Sequence, residues 1–472
     1  MEKQNKKIIH VLILLCFMFL SIVVYLTYFE VFKKDKILTN SYNRRQWIQE
    51  DTTLRGSILD RNGVVLANST SDGKKQERVY PFGGLYSQVI GYNSRAYGKS
   101  LLEAQYNNDL LNISGLAPVL NLKNKLTGDQ KTGNNLYLTL DNNLQVKANQ
   151  LMGDRNGAVV VMRPKTGEIL AMVSKPDFDP NSSALAQKWQ EMVESSASPF
   201  LPRATQGLYT PGSTFKVITV AAALENGMEN RKFDDSGSIV IDGNTIKNFE
   251  GHAYGALDLK SALAMSSNVA FAQIGVDIGE KNMKDITARA GMNKEIPFDI
   301  PVNSSRFPYK SMSKADLAAV GMGQGKLQVT PLYMVMVASG IANNGIMMKP
   351  YLVDRVVSVS NNTLKTTKPI AFSQVMTSET AAKVKSMMQY VVEAGTGQSA
   401  SIQGVTVAGK TGTAENELTG KEKNKEHAWF ICFSPVNDPQ VAVAVALEYS
   451  GSTGGDIAAP IARELMRQVL GK

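Results

Sequence analysis

Histidine and cysteine are scarce in this 472-residue chain, which holds three of the first and two of the second. His10, His252 and His427 are too few and too dispersed for a histidine-rich metal site or a histidine-based triad, so no metal or other cofactor is expected. Cys16 sits in the apolar N-terminal segment and Cys432 in an apolar, strand-like run, so no disulfide is expected. A basic block is missing as well. The net charge is +9 and the pI near 9.2, yet Lys and Arg are spread out beyond short clusters such as Lys74-Lys75. With no zinc-finger spacing and no RNA-binding signature, nucleic acid is not an expected partner; an anionic cell surface accounts for the mild excess. What is present is ordinary for a folded protein: 43% hydrophobic and 20% charged residues, with length for about three domains.

One long apolar run occurs, at residues 8–29, and no second follows. It is long enough to cross a bilayer as a helix. Lys3, Lys6 and Lys7 precede it and favour a cytoplasmic N-terminus, although Lys33, Lys34 and Lys36 weaken the contrast. Bulky Val23, Val24, Tyr25 and Leu26 stand where a signal peptidase wants small residues, so the segment reads as a retained anchor. The expectation is a single-pass membrane protein with an extracytoplasmic body.

After the anchor, residues 32–53 read as a polar, partly helical stalk. Asn62-Gly63 between two apolar runs predicts a hairpin. Residues 121–133 form a polar connector rich in Gly, Asn and Lys. Residues 136–140 predict a strand and 144–152 a helix. Strands at 158–162 and 169–173 are joined by turn residues at 163–168. Helices are expected to dominate from 215 to 336, with strands returning at 405–408, 428–433 and 441–448 and a closing helix at 460–470. Strands at both ends with helices between predict an α+β domain, its antiparallel sheet completed by N- and C-terminal segments.

Three short patterns carry the chemistry. In Pro211-Gly212-Ser213-Thr214-Phe215-Lys216 a turn leads into a helical pattern, putting Ser213 at a helix start. Lys216, three residues on, shares its face. A serine hydroxyl needs a base, and a lysine of depressed pKa can serve without histidine. Taken alone, the pattern favours Ser213 as a helix N-cap, and Ser-x-x-Lys recurs at Ser71/Lys74 and Ser311/Lys314. Ser266-Ser267-Asn268 forms a polar break after the helical run 257–265. Lys-Thr-Gly occurs three times; the copies at Lys131 and Lys165 read as connector and turn. Lys410-Thr411-Gly412 instead ends the apolar strand 405–409 and continues into Thr413, where backbone and hydroxyls can clamp an extended peptide with a terminal carboxylate. The order Ser-x-x-Lys, Ser-x-Asn, Lys-Thr-Gly is the set found in penicillin-binding proteins and serine β-lactamases, with Ser-Ser-Asn here in place of Ser-Asp-Asn.

The whole chain after the anchor resembles class B penicillin-binding proteins, and most of all their short PbpA-like branch. Arg55-Gly56, Ile58, Asp60-Arg61-Asn62-Gly63, Leu66-Ala67, Arg78-Val79-Tyr80-Pro81 and Glu103 are similar to the family's non-catalytic module. Gly157-Ala158, Thr166-Gly167-Glu168, Asp179-Pro180-Asn181, Gly321-Met322-Gly323-Gln324-Gly325 and Thr330-Pro331 resemble its transpeptidase domain. The resemblance implies a β-lactamase/D,D-peptidase-like transpeptidase domain, an antiparallel sheet flanked by helices, on a β-rich pedestal. The expected divisions are 1–31 for the cytoplasmic tip and anchor, 32–150 for the pedestal and 151–472 for the transpeptidase domain. It further implies that Ser213 attacks a D-Ala-D-Ala stem peptide with Lys216 as base, Ser266 relaying the proton, Asn268 binding the substrate amide and Lys410 holding the positive field. Thr411, Gly412 and Thr413 would bind substrate. Backbone N–H groups of Ser213 and Thr413 would form the oxyanion hole. β-Lactams would acylate Ser213. The N-terminal region is too short for a glycosyltransferase domain, so a separate membrane polymerase of the SEDS type is the implied partner. A D,D-carboxypeptidase, and a catalytically silent scaffold or β-lactam sensor, remain the alternatives.

Overall fold

The structure, a computed structural model, describes residues 2–33, 50, 52–71, 76–113, 131–414 and 426–472. Lys74-Lys75, the Ser71/Lys74 copy, most of the expected stalk, most of the 121–133 connector and the loop 415–425 lie wholly or partly outside the described residues.

A helix spans Glu2–Tyr28. Its apolar span, Asn5–Tyr28, reaches a mean hydropathy of 2.8 over an 18-residue window, none of which is buried. Among the described residues it is the one helix long and apolar enough to cross a membrane.

The pedestal begins with the expected hairpin, Ile58–Leu59 against Val65–Ser71. Asp60 Oδ1 accepts from the backbone N–H of Asn62 and of Val64, each at 2.8 Å. Gly63 turns the chain at φ +88°, a conformation that costs a residue with a Cβ. These strands belong to a six-stranded sheet in the order 363–366, 353–357, 135–138, 58–59, 65–71, 76–79. The two strands from far downstream were not expected from the sequence. Thr363–Thr366 is exposed throughout, so no buried alternation marks it. Beneath the sheet, buried Glu103 accepts from Arg55 Nε at 2.6 Å and Arg78 Nε at 2.7 Å. Burial pushes the Glu103 carboxyl up, but the two guanidinium groups outweigh it and hold the carboxyl below its usual range.

The larger body is built on a five-stranded antiparallel sheet in the order 169–175, 157–162, 441–447, 427–434, 408–414. First and last segments of the domain thus meet at its centre, as the pattern of strands predicts. Every residue of the strands Gly157–Met162 and Val441–Leu447 is buried, because helices cover both faces. Val159, Val161 and Val443 pack with Leu144, Met152 and Leu465 on one side. Val160, Met162 and Ala444 join the apolar helix Pro331–Ala342 on the other. Each such valine contributes about 1.5–3 kcal/mol on burial, so the sheet is a stiff floor for whatever is mounted on its edge.

Two sequence expectations need correcting. The helices between 215 and 336 are interrupted by an irregular stretch at 290–313 and by a β insertion, in which Lys232–Asp235 pairs Gly255–Asp258 and Ser238–Ile241 pairs Asn244–Lys247. In addition, the strand expected at 405–408 runs instead from Ala408 to Ala414. The Lys410-Thr411-Gly412 triplet therefore lies inside a strand, hydrogen-bonded in register to Ile431, Phe430 and Trp429, rather than beyond its end.

Candidate active site

The nucleophile turn is held by glycines. Gly212 has φ +54°, and a Cβ there would lie 3.0 Å from both Thr413 O and Ala414 Cβ. A Cβ on Gly412 would lie 2.9 Å from Thr214 Cγ2 and 3.2 Å from Pro211 O. From below, Gly323 approaches so near that its Cβ would fall 2.0 Å from Gly212 O. The turn is thus seated directly against the strand Ala408–Ala414, which is the edge of its sheet. Ser213 lies on the 3-10 turn Gly212–Phe215, and Lys216 opens the α-helix Lys216–Glu225. Ser213 caps neither: the capping positions are Pro211 and Phe215. It is partly exposed, while Lys216 is fully buried.

The second motif bends around that lysine. The helix Leu259–Met265 ends at Ser266, in the left-handed conformation at φ +57°. A new helix, Asn268–Arg289, starts with Ser267 as its cap, the hydroxyl accepting from Ala270 N at 2.9 Å. This sharp break turns two carbonyls and a side-chain oxygen toward one point. Lys216 Nζ donates to Ser266 O at 2.7 Å and Asn268 Oδ1 at 2.9 Å, with Ser267 O at 3.4 Å. Asn268 Nδ2 donates to Lys247 O at 3.0 Å, which leaves its second N–H for a ligand.

Ser266 links the two lysines. Its Oγ accepts from Lys410 Nζ at 2.9 Å and lies 3.4 Å from Lys216 Nζ. Lys410 also donates to Thr411 O at 3.0 Å and Thr411 Oγ1 at 3.4 Å. Thr411 Oγ1 in turn shares a 2.7 Å hydrogen bond with Thr396 Oγ1. Both lysines are buried, and burial is what perturbs them. Lys216 falls well below the usual lysine value through burial and the neighbouring Lys410 cation, partly offset by the Asp235 carboxylate. Burial lowers Lys410 to about 7. A lysine pushed down by burial and a neighbouring cation gives up its own proton more readily and can then accept one from a hydroxyl, and a second buried lysine stands close by.

Ser213, Lys216, Ser266, Asn268, Lys410, Thr411, Gly412 and Thr413, predicted from the sequence, thus come together at one place. The other motif copies do not. Lys165 is an exposed turn residue paired with Asp438, and Lys131-Thr132 pairs Thr53-Leu54. Ser311 lies just ahead of a helix whose capping box is made by Ser313 and Asp316. Asp235, Asn248 and Thr396, which hold the motifs in place, were missed. A signal existed for the first two: Asp242-Gly243 between alternating runs is a hairpin turn, with both residues at positive φ.

A serine mounted beside two buried lysines at the edge of an antiparallel sheet, and sandwiched by helices, defines an acyl transferase of the D,D-peptidase type. Comparison with known proteins narrows the class. The family described as "Penicillin binding protein transpeptidase domain" matches residues 157–467, and "Penicillin binding protein A dimerisation domain" matches residues 55–136. The chain is 35% identical to the peptidoglycan D,D-transpeptidase PbpA of Mycolicibacterium smegmatis, over 93% of this chain and 94% of that one. It is 32% identical to stage V sporulation protein D of Bacillus subtilis, over 87% of this chain and 66% of that one. Among solved structures, penicillin-binding protein A from M. tuberculosis as a ceftriaxone acyl-enzyme matches with a TM-score of 0.85 and 32% identity, covering 90% of this chain and 100% of that one. The chain belongs to the penicillin-binding protein transpeptidases, as a PbpA-like member. It is a serine-type peptidoglycan D,D-transpeptidase and a β-lactam target.

Proposed function

We propose that the reaction runs on the residues assembled above, with Ser213 as nucleophile. Neutral Lys216 takes the Ser213 hydroxyl proton as Oγ attacks the carbonyl of the penultimate D-Ala in a stem peptide. The backbone N–H groups of Ser213 and Thr413 receive the developing oxyanion. The C–N bond to the terminal D-Ala then breaks, and the proton passes through the Ser266 hydroxyl to the leaving amine. An amine of a neighbouring stem peptide attacks the acyl-enzyme, forms the cross-link and returns the proton to Ser213. Asn268 binds the substrate amide with its remaining N–H. Thr411 and Thr413 bind the terminal carboxylate in the field of Lys410, and Gly412 leaves room for the donor to lie along the strand edge. The observation that carries this reading is the link from buried Lys216 through the half-buried Ser266 hydroxyl to buried Lys410, which supports a base and a proton relay without histidine.

The same reading divides the chain into an anchor at 1–31, a pedestal at 32–150 and a transpeptidase domain at 151–472. The N-terminus lies in the cytoplasm and the catalytic body outside the membrane. A separate SEDS-type membrane polymerase supplies the glycan strands. The long apolar helix and the three lysines before it support the topology.

The experiment supplies purified full-length protein with a D-Ala-D-Ala stem peptide and an amine acceptor. A cross-linked product that Ser213→Ala cannot make is expected. D-Ala release with hydrolysis alone would make the protein a carboxypeptidase, and no turnover with no β-lactam adduct would make it a scaffold.

A further inference from the structure

The second motif departs from Ser-Asp-Asn by carrying a hydroxyl, Ser267, at its middle position. A carboxylate is nevertheless there. Asp235, the last residue of the strand Lys232–Asp235, is 2% exposed. Its Oδ2 accepts from Ser267 Oγ at 2.5 Å and from Asn248 Nδ2 at 2.8 Å. Its Oδ1 accepts from Asn248 Nδ2 at 2.7 Å and Gly237 N at 2.9 Å. Asn248 then does for the helix Asn268–Arg289 what a cap does. Its Oδ1 accepts from Asn268 N at 2.8 Å and Val269 N at 3.1 Å, two donors that have no partner within the helix. With Ser267 taking Ala270 N, the first turn of this helix is satisfied entirely from the Asp235 cluster.

We infer that Asp235, seated by Asn248, is a positioning residue that supplies from a neighbouring strand the carboxylate that Ser-Asp-Asn enzymes carry within the motif, and so fixes Ser266 and Asn268 around Lys216. This rests on the mechanism proposed above. The geometry requires such a brace. Ser266 O, Ser267 O and Asn268 Oδ1 converge on one amine only because the chain reverses sharply between two helices. A reversal held by Ser266 alone, in a strained left-handed conformation, would have nothing to keep it there. The charge matters as well as the hydrogen bonds. The charged groups facing Lys216 are Lys410 from the strand Ala408–Ala414 and Asp235 from the β insertion; the ring of Phe271, 5.2 Å away, faces it from the following helix. Asp235 is the one anion of this set, opposing both the Lys410 cation and the burial that lower Lys216. Tyr254 is a further titratable group in the field of Asp235.

A reciprocal exchange tests this, with second-order acylation by a fluorescent penicillin measured against pH on the full-length protein. Asp235→Asn keeps the shape and removes the charge. It is expected to slow acylation by about 100-fold through misplacement of the relay. It also moves the acid limb of the pH profile to lower pH, because Lys216 loses the group that raises it. Ser267→Asp alone places two carboxylates in contact and also slows acylation. The double variant Asp235→Asn/Ser267→Asp returns the carboxylate to the motif and is expected to recover to within about tenfold of wild type, a coupling that independent sites would not show. An Asp235→Asn protein with wild-type rate and unmoved acid limb overturns the inference. So does a double variant no faster than Asp235→Asn, and this comparison decides the matter even if the single variant folds poorly. Ser213→Ala is the separate control: if it labels like wild type, the reading of the nucleophile fails rather than that of Asp235.

Discussion

Replacing Lys410 by methionine should make the protein more stable while ending its acylation, with a gain that depends on pH. In the fold this lysine is fully buried, and burial lowers it from 10.5 to about 7. At about 1.4 kcal/mol per pH unit, holding the cation here costs about 5 kcal/mol relative to the unfolded chain. The sign follows from proton counting. Below about pH 7 both states carry the proton and the folded state bears the whole penalty. Between about pH 7 and about pH 10.5 the unfolded lysine stays protonated while the folded one does not, so stability rises with pH across that window. Methionine keeps the apolar stem and removes the charge. It also leaves Ser266 Oγ and Thr411 O without this donor, a pH-independent loss of about 1–3 kcal/mol. The variant is therefore expected to exceed wild type by about 2–4 kcal/mol near pH 6. That advantage should shrink by about 4 kcal/mol on going to about pH 10. Urea unfolding of the two full-length proteins in detergent, at a series of pH values, measures it. A stability difference that stays constant from about pH 6 to about pH 10 would refute the claim that a costly cation is buried at Lys410.

Other expectations follow from the same contacts. Gly412→Ala inserts a methyl group 2.9 Å from Thr214 Cγ2 and 3.0 Å from Trp429 Cβ. Thermal unfolding should register a loss of about 1–3 kcal/mol, and stopped-flow acylation should be slower because the Ser213 turn is pushed off its strand. Glu103→Ala strands the buried Arg55 and Arg78 guanidinium groups; denaturant unfolding should show a loss of about 3–5 kcal/mol, and an unchanged midpoint would contradict the ion cluster as drawn. Wild-type acylation should fall as pH rises through about 7, where Lys410 gives up its proton, and this alkaline limb should be missing from the residual acylation of Lys410→Arg, whose guanidinium keeps its charge.

The sequence made some parts of this molecule legible and hid others for physical reasons. Strands such as Gly157–Met162 and Val441–Leu447 are buried on both faces, so they stand out as unbroken apolar runs. The Asn62-Gly63 turn was readable because few residue pairs accept its backbone geometry. Ser213, Lys216 and Lys410 could be named because motif order survives even where each motif alone is commonplace. Thr363–Thr366 could not be seen, since an exposed edge strand has no pattern to display. Nor could the role of Asp235: the residue lies 32 positions from its hydroxyl partner, and only folding brings the two within 2.5 Å. The β insertion that carries it interrupts a stretch whose apolar spacing is otherwise helical.

The central claim is that Ser213 is a lysine-activated acyl-transfer nucleophile, and adduct mapping tests it most directly. Full-length protein is incubated with penicillin, digested, and the modified peptide sequenced by mass spectrometry. A single penicilloyl group is expected on Ser213, with no adduct in Ser213→Ala and greatly slowed formation in Lys216→Met. An adduct on any other residue, or one that forms at the wild-type rate without Lys216, contradicts it.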